Sequence, residues 1–100
     1  MQLKRHTEAK RLAHKTLLVA RRVLGESHEL TLTMRMSYAM VILDDDGAKL
    51  DDIREAVTTI EDVERTARRV FGGAHPFVRK IEADLRRARA VLRARETQRS

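Results

Sequence analysis

The amino-acid sequence predicts an all-α fold of four antiparallel amphipathic helices. Three observations carry that expectation. Apolar residues recur at spacings of three and four along four stretches, which gives each a single apolar face when helical. Three glycine-bearing breaks separate the stretches: Gly25-Glu26-Ser27, Asp44-Asp45-Asp46-Gly47 and Gly72-Gly73-Ala74-His75-Pro76. One Pro and four Gly are too little punctuation for a many-stranded sandwich or barrel. At 100 residues there is no room for a second core, so one domain is expected over 1–96, with 97–100 a frayed tail. An apolar fraction of 42% is enough for a globular fold and excludes wholesale disorder.

The first helix is expected over about 3–24. Ala9, Leu12, Ala13, Leu17, Ala20, Val23 and Leu24 form its stripe. Arg21 and Arg22 complement the dipole in the last turn, and Gly25 suits the stop. The second helix, about 28–43, starts with Ser27 as N-cap and Glu29 in the first turn. Its stripe is Leu32, Met36, Ala39, Met40 and Leu43. The period-two start, Leu30 to Met34, is too short for a strand, and the Met, Ala and Leu that follow favour helix.

The third helix, about 50–71, carries the longest stripe, from Leu50 and Ile53 through Val57, Ile60, Val63 and Ala67 to Val70 and Phe71. Asp51, Asp52 and Glu55 lie at its start and Arg65, Arg68 and Arg69 at its end, the polarity a helix dipole prefers. The fourth, about 76–95, opens on Pro76 at a first helical position. Val78, Ile81, Leu85, Ala88 and Leu92 make its stripe, and arginines cover its other faces.

Net charge is +6, in three blocks: +5 over residues 1–43, −7 over 44–64 and +8 over 65–100. A basic–acidic–basic order fits charge-matched packing or head-to-tail contact at least as well as a nucleic-acid surface. No apolar run follows the basic N-terminus as a signal peptide requires, and the longest run, Ala39 to Leu43, is far short of a membrane span. A soluble cytoplasmic protein is the expectation. The absence of cysteine excludes disulfides and thiolate metal sites.

A repeat is visible. Ala20-Arg21-Arg22-Val23-Leu24-Gly25-Glu26-Ser27-His28 returns as Ala67-Arg68-Arg69-Val70-Phe71-Gly72-Gly73-Ala74-His75, with six of nine positions identical at an offset of 47. Two copies of one helix corner imply two helix hairpins related by a translation, as in a solenoid. A simple up-down bundle needs no such repetition.

These corners resemble the VLGPDHPDTL corner of the kinesin light chain type of tetratricopeptide repeat. Val23-Leu24-Gly25-Glu26-Ser27-His28 with Thr31-Leu32 match it, and Val70-Phe71-Gly72-Gly73-Ala74-His75-Pro76 match it again. Tyr38-Ala39 falls where the family has a Leu-Ala pair, and Asp46-Gly47 with Leu50-Asp51-Asp52 and Ala56 is similar to its turn between helices A and B. The resemblance covers roughly residues 9–93. It implies a right-handed superhelix of helix pairs with a concave face for a protein or peptide. The offset of 47 exceeds the family's repeat, which lengthens the third helix or a flanking turn. Met36-Ser37 replaces the asparagines that hold a bound peptide backbone in that family, so that site does not carry over.

The chemistry-bearing residues point away from catalysis. His28-Glu29 lacks the second His of a zinc-protease motif, because Leu32 stands there. His28 and His75 recur at equivalent corners, which favours a structural role at the helix start, and His6 and His14 read as surface residues. Placing Gly47 at position six of a calcium loop puts Ile42 and Ile53 at its ends, where oxygen donors are required. The Asp-rich turn therefore reads as a solvated helix cap. Ser27, Ser37 and Ser100 lack a Gly-flanked elbow, and no phosphate-binding glycine motif is present. Neither enzyme activity nor a cofactor or metal is expected.

The expected function is a non-enzymatic protein–protein interaction module, either part of a longer array or one completed by another copy of itself. Candidate partner-binding residues are Arg79, Lys80, Arg86, Arg87, Arg89 and Arg93 on the fourth helix and Asp51, Asp52 and Glu55 on the third. Binding of nucleic acid or an acidic partner through the Arg-rich fourth helix is the alternative. Three aromatic residues are too few for base stacking, which argues against nucleic acid.

Overall fold

The computed structural model describes the backbone of residues 2–99 and the side chains of residues 7–98. It is all-α, with four helices: α1 (Gln2–Leu24), α2 (Glu29–Leu43), α3 (Leu50–Phe71) and α4 (Pro76–Arg99). The α4 helix runs past the expected end at 95 and through the part of the tail that is described. Two hydrogen-bonding side chains of its last turns, Arg95 and Glu96, bind other elements. Ser100 and the His6 side chain lie outside the described residues.

Local chemistry places the corners. Gly25 and Gly72 have φ of 91° and 89°, a region that L side chains rarely adopt. Each glycine N–H donates back to the helix it closes, to the Arg21 carbonyl at 3.1 Å and the Arg68 carbonyl at 2.9 Å. The next helix starts on histidine rather than on the expected Ser27. His28 Nδ1 accepts from Leu30 N–H at 3.1 Å, and His75 Nδ1 accepts from Phe77 N–H at 3.1 Å. An imidazole acceptor thus takes an orphan donor of the first turn, the job a serine oxygen usually does. The two sequence copies are one backbone device used twice.

The helices do not close into a bundle. Along the chain α1 packs on α2, α2 on α3 and α3 on α4, while α2 also touches α4. Among the described residues α1 meets neither α3 nor α4. That is a stepwise stack of hairpins, 38 × 27 × 18 Å, whose thin dimension fits about two helix layers. The apolar core is built mainly from α2, α3 and α4: Leu32, Ile53, Ile60, Val63, Val78 and Ile81 have almost no exposed surface. The middle helix α2 is apolar on nearly every side because it has three neighbours.

The α1 stripe is only half used. Leu17 and Ala20 are buried against α2, but Leu12 and Val23 are 66% and 71% exposed. Periodicity correctly marked them as apolar-face residues, and no helix lies over them.

Candidate interaction surface

Three surfaces can be compared as binding sites. The first is a groove between α1 and α2, about 260 Å³ in volume, lined by Thr16, Val19, Ala20, Val23, Leu30 and Met34 with Leu24 at its end. Val19 is 55% and Leu30 48% exposed. A hydrogen bond from Thr31 Oγ1 to the Ala20 carbonyl, 3.3 Å long, seals the groove floor where the helices meet. Arg11, Lys15 and Arg22 fall on one row of α1 at helical spacing, beside the apolar stripe and away from α2. None of the three makes an ion pair among the described residues, unlike Lys10, which holds Asp45 at 2.9 Å, and Arg21, which holds Glu26 at 3.1 Å.

The second surface is a cleft between α2 and α4, where Met36 and Met40 face Phe77 and Ile81, with Lys80 and Asp84 at its rim. Lys80 and Asp84 lie 3.5 Å apart on one face of α4. Phe77 also meets Phe71 edge to face, with centroids 5.7 Å apart, which fixes the second corner.

The third surface is the arginine-rich outside of α4. Much of its charge is matched within the chain. Arg87 reaches Asp44 and Arg89 reaches Glu61, each at 3.0 Å. Arg68 joins Glu64 at 2.8 Å and also Glu82, and these two carboxylates raise its pKa. Arg95 donates to the Ala48 and Asp46 carbonyls at 2.9 and 3.1 Å, clamping the turn between α2 and α3. Asp45 in that turn is buried, so the solvated reading of the acidic loop fails at this residue; Lys10 and the Gly47 N–H both bind it. Six of the nine acids of the middle block, Asp44, Asp45, Asp51, Glu61, Asp62 and Glu64, therefore pair with basic residues of the chain.

The remaining sequence candidates are dispersed. Arg79, Arg86 and Arg93 are exposed and make no ion pair among the described residues. Asp51 pairs with Arg54 at 3.3 Å, Asp52 accepts from the Lys49 N–H at 3.3 Å, and Glu55 is exposed on α3. The sequence candidates thus divide between paired charges and scattered exposed ones. Val19 and Leu30, which line the α1/α2 groove, were not among them. A signal existed: the 47-residue offset sets Leu30 on Phe77 and Met34 on Ile81, two residues that α2 helps to enclose.

Comparison with protein families, curated proteins and solved structures returns no significant match. No helix among the described residues is long and apolar enough to cross a membrane.

Proposed function

We propose that this chain is a non-enzymatic protein-interaction module, a short stack of tetratricopeptide-like helical hairpins. The observation that carries the reading is the open apolar groove on α1 and α2. Contiguous exposed apolar surface with a charged border is the usual mark of a protein-binding site. The repeated glycine–histidine corners and the stepwise packing support the resemblance to tetratricopeptide hairpins. The α4 arginines serve this reading less well, because Arg87 and Arg89 already have carboxylate partners.

A photo-crosslinking residue at Val19 tests the proposal in the cell of origin. Adducts with a protein are expected at Val19 and not at Glu55, on the outside of α3. Equal labelling at both positions, labelling of nucleic acid alone, or no adduct at Val19 overturns it.

A further inference from the structure

The repeat lets the protein itself show what fits the open groove. Adding 47 to each α1/α2 residue gives its counterpart in the α3/α4 hairpin. Thr16, Ala20, Leu30 and Met34 become Val63, Ala67, Phe77 and Ile81. Those four are covered: Val63 and Ala67 have no exposed surface, Ile81 is 1% exposed and Phe77 is half-buried. The covering element is α2. Its Met36 and Met40 lie against Phe77 and Ile81, and its Arg35 bonds Asp62 of α3 at 2.8 Å. One hairpin groove of this chain is overlain by a largely apolar helix, and its counterpart is empty of protein among the described residues.

Charge distinguishes the two grooves. The counterpart of Asp62 is Lys15, so the residue that receives the Arg35 guanidinium in one groove is a cation in the other. Arg11 and Arg22 extend that cationic row along the same edge. A helix entering here needs an acid where α2 carries Arg35.

We infer that the α1/α2 groove seats an amphipathic α-helix of a partner protein, lying as α2 lies on α3 and α4, with an acidic side chain opposite Lys15. This inference rests on the interaction-module reading and adds the chemistry of the partner. A second copy docking through α1 or α4 is disfavoured on electrostatic grounds. Pairing two α1 helices brings two unpaired cationic rows together, and docking α4 brings Arg79, Arg86 and Arg93 against the same row. The α2 helix of another copy is already enclosed by its own neighbours.

The test uses the intact chain and a helix-stapled peptide of the α2 sequence, residues 29–43, as probe. Leu30, Met34 and Val41 of the peptide are changed to glutamine, because that side would face solvent. Two versions differ at one position: the native Arg35 and Arg35→Glu. Fluorescence anisotropy is expected to show the glutamate peptide binding at least about fivefold more tightly, the size of one favourable ion pair at a partly exposed site. Lys15→Glu in the protein reverses that preference. Val19→Asp weakens both peptides at least about tenfold, the effect of placing an unpaired charge against the apolar seam. Val19 is more than half exposed, so circular dichroism and melting should show the variant folded.

The inference is overturned if neither peptide binds the folded protein, or if the two bind equally and Val19→Asp has no effect. It is also overturned if sedimentation velocity shows self-association that Val19→Asp abolishes, since a second copy then holds the groove. Protein adducts at Val19 with no peptide binding would leave the interaction-module reading standing and remove only the helical, acidic partner. Absence of both would remove the two together.

Discussion

Arg35 of α2 donates to the Asp62 carboxylate of α3 at 2.8 Å, and this bond joins the two hairpins through otherwise apolar surface. The Arg35 side chain is largely buried, while Asp62 is half exposed and also takes Arg65 at 3.3 Å. The Arg35 hydrogen bond holds the Asp62 carboxyl below its ordinary value of 3.8, against the opposing effect of burial, with the charges of Arg35 and Arg65 assisting. Arg35 Nε is buried with no hydrogen-bond partner, so the guanidinium depends on Asp62 for its compensation.

A pH dependence follows from the direction of that shift. A carboxyl depressed in the folded state contributes stability in full above its unfolded value, and the contribution is lost as pH falls through the folded value. Asp62→Asn should therefore lower the melting temperature at pH 7, and the gap to the unaltered protein should narrow as pH falls below 3.8. Thermal unfolding of both proteins from pH 7 to pH 3 measures this. A gap that stays constant with pH would remove the ionic account of the contact.

The core and the open face of α1 should respond very unequally to truncation. Ile60 has no exposed surface. Ile60→Ala should cost about 2–5 kcal/mol, a large share of the roughly 5–15 kcal/mol that holds a domain together. Leu12→Ala, on the open face of α1, should change stability by less than about 0.5 kcal/mol. Urea denaturation separates the two. A loss at Leu12 as large as at Ile60 would mean that α1 is covered in solution by another copy.

The two corners should behave as equals. Gly25→Ala and Gly72→Ala each force a side chain into positive φ, at a cost of about 1–3 kcal/mol. No neighbouring atom crowds either position, so backbone conformation alone sets the cost. His28→Ala should cost about 0.5–2 kcal/mol through the lost cap, and His28→Asn should recover most of it, because an amide oxygen can accept the same N–H. Equal destabilisation by alanine and asparagine would show that the ring acts by packing instead.

Arg95 should govern the turn between α2 and α3. Its guanidinium bonds the Ala48 and Asp46 carbonyls, a span that one ammonium covers poorly. Arg95→Lys should speed amide hydrogen exchange through residues 44–49 and leave the α3 core amides unchanged. Exchange that rises uniformly over the whole chain would place the effect in global stability.

Much of the fold was legible because it is set locally. Glycine at positive φ, an acceptor three residues later and a 3.6-residue apolar period act over one or two turns, so all four helices and the repeated corner could be read from residue order. Ser27 was misjudged as a cap because its hydroxyl and the His28 ring compete for the same role one residue apart, and the backbone settles which of them reaches the first turn. The arginine and aspartate candidates were visible as charges, but their availability was not. Arg87 finds Asp44 across 43 residues and Arg89 finds Glu61 across 28, which no local rule anticipates.

The sequence by itself determined four helices, their breaks and the repeated corner. Tertiary structure decided which apolar faces meet a neighbour. Leu12 and Val23 belong to the same periodic stripe as Leu17 and Ala20, yet only the latter pair is buried. Periodicity orients a side chain around its own helix axis, whereas burial depends on whether another helix occupies the space beyond it, and among the described residues α1 has α2 as its one helical neighbour.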